Sequence, residues 1–295
     1  MQNKTHRTFN VLLLALALAL PAHAGKVDRK AAETEARTFI EASHLIAPER
    51  VGDFVLEGSS YDEQNKFAGA GFRYALKDHQ ESRFDVFVYP AGRAPQADAI
   101  ASGMVPFKAG IEQAQAAGSI RDLRFLSEDE FPLDVPEPAR PAAADTELDA
   151  ALLEAIASTR TIGKRLRMHN TMANGGFPMA SNGYLFHRQL YFFKVRASAA
   201  RDRIDQDAFD ALTDRAAREL VKAIEVANVG ACANAEIAID PKASADAMAL
   251  VLVRRSAEIQ GENCFGDAGK AKLDEKSKGA SVVRIDFTAS DWKPR

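Results

Sequence analysis

The chain has 295 residues, of which 46% are hydrophobic and 27% are charged, so it carries enough apolar side chains for a folded core. Its 38 basic and 41 acidic residues give a formal net charge of −3 at pH 7. This mild acidity argues against a general nucleic-acid-binding protein, which usually has a strong basic excess.

The first 24 residues have the pattern of a secretory signal peptide. Two basic residues precede an unbroken apolar run at 11–20, and Ala22 and Ala24 are small residues at the two positions that a signal peptidase reads. The apolar run is too short for a membrane span, which needs roughly 20 residues. We therefore predict residues 1–24 to be the cleaved signal peptide of a soluble periplasmic or secreted protein. Because the first cysteine is Cys232, we expect no lipid anchor.

The next part of the chain alternates the patterns of helices and strands. Residue spacing predicts a helix at 28–46, and a second at 96–117 in which Pro106 lies among the apolar residues. Because an interior proline costs a helix about 3 kcal/mol, we expect a kink or two shorter helices there. Alternation of apolar and polar residues predicts strands at 51–56, 69–76, 83–89 and 120–126.

A proline-rich segment at 132–144 is the best candidate for a domain boundary. It contains four of the chain's 12 prolines, followed by three alanines, and this composition is typical of an extended connector. We therefore predict an N-terminal α+β lobe at 25–131 and a C-terminal α+β lobe at 145–295. A long surface loop within one domain is the alternative.

Beyond the connector the order of elements repeats. The sequence predicts, in turn, a helix at 148–156, a strand at 163–172, a loop at 173–182, a long strand at 183–196 and a long helix at 205–229 with Asp205 as its N-cap. Helix, hairpin and helix thus occur twice, around 28–117 and 145–229, which suggests an internal duplication. The alternative is that an α+β chain produces this order by chance.

The part of the chain after Gly230 has a less regular pattern. Residues 245–259 fit a helix with Ser244 as N-cap, although the apolar residues at 250–253 also suit a buried strand. The remaining segments are predicted as a strand at 235–240, a loop at 266–279 and a final strand at 281–287. Taken together, the elements predict an α+β fold of antiparallel sheets with helices packed on one side.

The two cysteines, Cys232 and Cys264, are predicted to form a disulfide in the C-terminal lobe, because a cysteine pair in an exported protein is most simply a crosslink. The alternatives are weaker. A catalytic thiol needs a nearby histidine, and no histidine follows His187. Two thiols alone are too few for a structural zinc site.

No catalytic motif, phosphate-binding glycine loop or calcium loop occurs in the sequence. The histidines beyond the signal peptide are too far apart in sequence to form a metal-binding pair on one helix: His44, His79, His169 and His187. The acidic run 128–130 is predicted to be a solvated loop. We therefore predict no catalytic residue, no metal site and no cofactor.

One group of basic residues is a candidate ligand site. Alternation along the strand at 163–172 places Arg165, Arg167 and His169 on one face, with Leu166 and Met168 on the other. Pairing with the strand at 183–196 would bring a further set of basic residues beside them: Arg188, Lys194 and Arg196. Such a patch would bind an anion. The alternative is that these are the ordinary solvent-facing residues of a half-exposed sheet.

These observations favour a non-catalytic envelope protein that binds an anionic small molecule, an envelope polymer or another exported protein. Two other classes stay open. A hydrolase would need a carboxylate pair in a cleft between the lobes, with one pKa raised. An exported inhibitor or immunity-type protein would show an exposed apolar patch. Nucleic acid and membrane are not expected as partners.

Overall fold

The computed structural model describes residues 38–77, 79–135, 147–157 and 160–291. The predicted signal peptide, the beginning of the predicted first helix and most of the predicted connector lie outside these residues. The described residues belong to one compact unit.

The described elements are twelve strands, five α-helices and two short 3-10 helices, Glu63–Ala68 and Ala231–Asn234. The strands are β1 (Ala42–Pro48), β2 (Arg50–Val51), β3 (Phe54–Tyr61), β4 (Ala70–Leu76), β5 (His79–Pro90), β6 (Ile120–Pro132), β7 (Ile162–Met172), β8 (Pro178–Arg188), β9 (Tyr191–Ala200), β10 (Glu225–Val229), β11 (Cys264–Phe265) and β12 (Ala280–Asp286). The helices are α1 (Gln96–Ala116), α2 (Glu147–Ala157), α3 (Gln206–Ala223), α4 (Ala245–Gly261) and α5 (Leu273–Lys276).

Two sheets organise the protein. An eight-stranded sheet has the order β2-β3-β4-β5-β9-β8-β7-β6 and is antiparallel throughout. A four-stranded sheet has the order β11-β10-β1-β12, and its one parallel pair is β10 with β11. The predicted α+β class with antiparallel sheets is therefore confirmed.

Helices cover both faces of the larger sheet, so the prediction that they pack on one side is wrong. Phe107 of α1 packs with Leu185 of β8 in a small core, whereas Thr213 of α3 bonds the neighbouring Tyr184. Since successive residues of a strand point to opposite faces, α1 and α3 lie on opposite sides of β8. The physical reason is that β8 is buried along nearly its whole length, on both faces. The main core lies on the α3 side.

The predicted long strand at 183–196 is a hairpin of β8 and β9. Gln189 and Leu190 form its turn with φ values of 54° and 67°, as in two-residue type I′ hairpins. The sequence prediction was wrong here because the usual glycine or asparagine is absent from this turn. The preceding loop is also shorter than predicted, since β8 begins at Pro178.

Two predicted helices include residues that the structure places in strands. The first helix was predicted through residue 46, but Ala42–Pro48 is β1, the buried strand between β10 and β12. The long helix was predicted to residue 229, but α3 ends at Ala223 and Glu225–Val229 is β10. The helix–hairpin–helix duplication is consequently not supported.

Three further predictions agree with the structure. Asp205 caps α3 by accepting hydrogen bonds from the backbone N–H groups of Asp207 and Ala208 at 2.9 and 3.2 Å. Ser244 caps α4, which makes residues 245–259 helical as predicted. The predicted disulfide joins Cys232 and Cys264, with a Cα–Cα distance of 5.9 Å.

Other predictions differ. Helix α1 continues through Pro106 as one helix. Of the two predicted alternatives, a kink or two shorter helices, the second is therefore wrong. Residues 235–240 form no strand, and the predicted loop at 266–279 contains the short α5. The last strand is confirmed as β12.

Strands from both sides of the predicted connector lie in the same sheets. Strand β5, from the predicted N-terminal lobe, pairs with β9 from the predicted C-terminal lobe along seven residue pairs, from Phe84↔Ala197 to Pro90↔Tyr191. Strand β1 likewise pairs with β10 and β12. The two predicted lobes therefore do not have separate sheets.

Candidate functional site

The basic residues singled out in β7 occupy one face of the strand. Arg165, Arg167 and His169 point toward α3, while Leu166 and Met168 point to the opposite side and pack in the α1 core. This sidedness is the one that the alternation predicted. The face itself, however, is covered by a helix rather than exposed as the edge of a half-solvated sheet.

Carboxylates of α3 and β6 bind both arginines. The Arg165 Nη1 atom lies 2.9 Å from Asp214 Oδ2, and the Arg167 Nη1 atom lies 3.0 Å from Asp210 Oδ2. Asp129 lies 3.4 and 3.5 Å from the two guanidinium groups. We call these five residues the ionic cluster. Its two positive and three negative side chains leave no excess of positive charge for an external anion.

Asp210 is the most enclosed carboxylate of the ionic cluster. Burial by itself would raise its pKa, but hydrogen bonds from Asn182 at 2.8 Å, Arg167 at 3.0 Å and Gln206 at 2.8 Å outweigh burial. The pKa of Asp210 is therefore lowered, and the charged form is the one that the fold stabilises. The ionic cluster thus holds α3 against the sheet.

His169 and Arg188 are bound separately from the arginine pair. His169 Nε2 lies 3.1 Å from Gln206 Oε1. Arg188 donates a hydrogen bond to the carbonyl oxygen of Val221 near the end of α3, and burial lowers its pKa. Tyr184 of β8 stands opposite Arg165. Arg188 is four residues beyond Tyr184, which places it roughly 13 Å farther along the strand. The structure therefore does not bring Arg188 together with Arg165 and Arg167.

A cavity of about 720 Å³ lies at one end of the eight-stranded sheet. Its walls come from β4, β5, β9, the connection between β7 and β8, and the beginning of α3. We call it the apolar cavity, because its large side chains are mostly apolar: Leu76, Phe84, Met172, Phe177, Met179, Ile204, Phe209 and Leu212.

Polar groups in the apolar cavity are few and include two cations. Arg83 and Arg203 are exposed and line it, together with Asp202 and Asn174. Arg83 Nε lies 3.6 Å from Glu57 Oε2, whereas Arg203 has no carboxylate within ion-pair distance in the described part of the chain. An apolar body with an adjacent basic group is the arrangement that accommodates an amphipathic acid.

The connection between β7 and β8 gives the apolar cavity part of its wall. Gly175 and Gly176 have φ values of 88° and 67°, which let the chain reverse within a few residues. The turn leaves Phe177 57% exposed and Met172 38% exposed at the cavity. Sequence analysis missed this site because it treated 173–182 as a loop. The available signal was Phe177, a large aromatic residue within a glycine-rich turn.

Other kinds of site find little support in the described residues. No group of three or more histidine, cysteine, aspartate or glutamate side chains there could hold a metal ion. Among the carboxyl groups that the structure describes, those of Asp129, Asp210 and Asp291 have clearly displaced pKa values, and hydrogen-bond donors lower all three. Lowered pKa values do not suit a general acid near neutral pH. None of the described helices has the length and apolarity needed to cross a bilayer.

Known proteins resemble this chain only weakly. No family model matches the chain, and no curated protein matches it. Among solved structures, the chain is similar to the solution structure of cyanobacterial PsbP (CyanoP) from Synechocystis sp. PCC 6803, with 10% sequence identity and a TM-score of 0.33. The match covers 62% of this chain and 92% of that chain. At this TM-score the similarity supports no conclusion about fold or function.

Proposed function

We propose that the protein binds a small amphipathic acid in the apolar cavity. The observation that carries this proposal is the combination of volume and lining. The cavity measures about 720 Å³, and ligand pockets typically measure roughly 300–1,000 Å³ with mostly apolar walls and few polar groups. The apolar body of the ligand lies against Phe84, Phe209 and Leu212, and its acidic group lies near Arg83 and Arg203.

Burial of the ligand's apolar body supplies the driving force. Each methylene group transferred from water to an apolar wall contributes about 0.8 kcal/mol before the cost of immobilising the ligand. The arginines add a charge-assisted contact that favours an acid over a neutral analogue. Both arginines are exposed, so neither contributes to the packing of the core.

We also propose that binding takes place outside the cytoplasm, in the periplasm or after secretion. The disulfide between Cys232 and Cys264 supports this, because disulfides persist mainly in oxidising compartments. The signal-peptide pattern of the first 24 residues is the second support. Detection of the mature chain beginning at Gly25 in a periplasmic or culture-medium fraction would test this part.

The substitution Ala199→Phe is expected to weaken ligand binding at least about tenfold, because the new ring fills the apolar cavity without removing any core atom. The probe is the dye 1-anilinonaphthalene-8-sulfonate, bound by the mature protein and displaced by decanoate. Ala101→Phe is the matched control, since Ala101 is exposed on α1. Near-ultraviolet circular dichroism checks that both variants fold. Equal displacement curves for both variants would place binding elsewhere.

The double substitution Arg83→Ser and Arg203→Ser is expected to weaken decanoate binding about five- to tenfold while changing decanol binding less than about twofold. The carboxylate loses its cationic neighbours, whereas the neutral alcohol never used them. Isothermal titration calorimetry with both compounds measures the difference. A similar loss for both compounds would show that the arginines shape the cavity and do not recognise the acidic group.

A further inference from the structure

A second cavity, of about 340 Å³, lies on the α1 side of the eight-stranded sheet. It is bounded by the C-terminal half of α1 and by strands β7, β8 and β9. Phe107 and Ile111 contribute to its helical wall, and Asn170, Ser181 and Lys194 to its strand wall. We call it the polar cavity. It goes beyond the function proposed above, because it faces the opposite helix. It shares only Met172, Ala197 and Ser198 with the lining of the apolar cavity.

In the polar cavity, hydrogen-bonded side chains link the three neighbouring strands β7, β8 and β9. Asn170 Nδ2 donates to Ser181 Oγ at 3.2 Å, and Ser181 Oγ lies 2.7 Å from Ser198 Oγ. Asn170 and Ser181 are 8% and 6% exposed, and the Asn170 Oδ1 atom is buried without a hydrogen-bond partner. A buried acceptor without a donor is unfavourable. A ligand hydroxyl or amino group would supply the missing donor.

Aromatic rings hold the Lys194 ammonium group at the polar cavity. Its Nζ atom lies 4.9 Å from the ring centre of Phe87, 5.6 Å from that of Tyr89 and 5.5 Å from that of Phe107. Ring faces attract a cation and fix its position, but they carry no net charge. The positive charge of Lys194 is therefore oriented by the protein without being neutralised.

No carboxylate of the described residues lies within ion-pair distance of Lys194 or Arg196, the two cations that line the polar cavity. Asp85 stands opposite Arg196 in the β5–β9 register, but it accepts a hydrogen bond from Arg73 Nε at 2.7 Å. Burial lowers the pKa of Lys194, and the nearby Arg196 lowers it further. The two cations thus lack a carboxylate partner, and the charged form of Lys194 is disfavoured. An external anion bound beside them would stabilise that charged form.

We propose that the polar cavity binds a small hydroxycarboxylate. The carboxylate accepts hydrogen bonds from Lys194 and Arg196, and the hydroxyl group donates to Asn170 Oδ1. The volume of about 340 Å³ suits a metabolite-sized molecule, since it is at the lower end of the roughly 300–1,000 Å³ of ligand pockets. Lys194 and Arg196 supply positive charge, and Asn170 supplies an acceptor without a donor. A hydroxycarboxylate has one group for each: an acidic group for the cations and an O–H donor for Asn170 Oδ1.

Isothermal titration calorimetry of the mature protein with L-malate, and with succinate as the analogue that lacks the hydroxyl group, tests the proposal. Arg196→Ser and Lys194→Met are each expected to weaken malate binding at least about tenfold. Arg196 is exposed, so its removal leaves the core intact. Arg254→Ser, on exposed helix α4, is the matched control and is expected to bind malate as the wild type does.

The variant Asn170→Ala separates recognition of the hydroxyl group from general attraction of anions. The wild type is expected to prefer malate to succinate about fivefold or more, and Asn170→Ala is expected to bind both alike. Ala199→Phe, which fills the apolar cavity, should leave malate binding unchanged, so the two proposed sites fail or succeed separately. The proposal is overturned if malate, glycerate and gluconate all fail to bind at millimolar concentration, or if Arg196→Ser and Arg254→Ser bind malate equally.

Discussion

Asp210→Ala is expected to lower the free energy of unfolding by about 2–3 kcal/mol, because three donors lose a charge-assisted hydrogen bond to an enclosed carboxylate. The Asp210 carboxylate accepts hydrogen bonds from Arg167, Asn182 and Gln206. All three donors lose this acceptor in the variant, although Asn182 keeps Thr213 and Arg167 keeps Ser127. The 12% exposure of the Asp210 side chain gives water little access to replace it. Urea denaturation monitored by circular dichroism measures the change.

Glu219→Ala on the same helix is the matched control for Asp210→Ala. Glu219 makes a partly exposed i,i+4 pair with Arg215 at 3.7 Å, and such pairs contribute roughly 0–1 kcal/mol. The two substitutions therefore remove the same charge from one helix in different environments. Equal losses of stability would contradict a structural role for the ionic cluster.

The destabilisation by Asp210→Ala should also depend on pH. The folded-state pKa of Asp210 is lowered relative to that of the unfolded chain, which for aspartate is about 3.9. The contribution of this carboxylate is therefore fully present above that value and is lost as the pH falls through the folded-state pKa. The stability difference between wild type and Asp210→Ala should consequently be constant near neutral pH and shrink below about pH 4.

The sidedness of β7 could be predicted from sequence, but its environment could not. Alternation alone placed Arg165 and Arg167 on one face. What covers that face depends on α3, which buries apolar residues that include Phe209, Ala216 and Leu220. The structure also buries Asp210 and Thr213 between those apolar residues. A pattern based on hydrophobicity treats these polar residues as exposed. It contains no information about Arg167, which pairs with Asp210, or about Asn182 and Tyr184, which bond Thr213.

The turn between β8 and β9 explains a second limit of the sequence prediction. A single strand from 183 to 196 would put Arg188, Lys194 and Arg196 on one face. The turn at Gln189 and Leu190 reverses the chain, so that Phe186 pairs with Phe193 and even-numbered residues change face. Lys194 therefore faces α1 at the polar cavity, whereas Arg188 faces α3. The strand character of these residues could be predicted from sequence. Which side of the sheet each residue after Leu190 faces depends on this turn, which the sequence pattern did not reveal.

Both cavities were beyond the reach of sequence patterns for the same reason. The apolar cavity collects residues from Leu76 to Leu212, and the polar cavity collects residues from α1 to β9. Their proximity results from the pairing of β5 with β9 across the predicted domain boundary. The local periodicity that identifies a helix or strand carries no information about such long-range pairing.

Removal of the disulfide is expected to lower the free energy of unfolding by about 2–3.5 kcal/mol in the double variant Cys232→Ala and Cys264→Ala. The crosslink closes a loop with a sequence separation of 32, and chain entropy sets a ceiling of about 3.7 kcal/mol for a loop of this length. That loop contains α4, which has no fully buried residue. Few side-chain contacts therefore replace the lost covalent link. Alanine is the better replacement at Cys232, which is 1% exposed and would bury an unpaired hydroxyl group as serine.

Thermal and urea denaturation of the oxidised wild type and the double variant measure the effect of the disulfide. Each kcal/mol corresponds to a shift of about 2–4 °C in the melting temperature for a chain of this size. The reductant dithiothreitol supplies the internal control, because it should lower the midpoint of the wild type toward that of the variant and leave the variant unchanged. Identical midpoints for oxidised wild type, reduced wild type and variant would show that packing of Cys232 against the core, rather than the crosslink, holds this part of the chain in place.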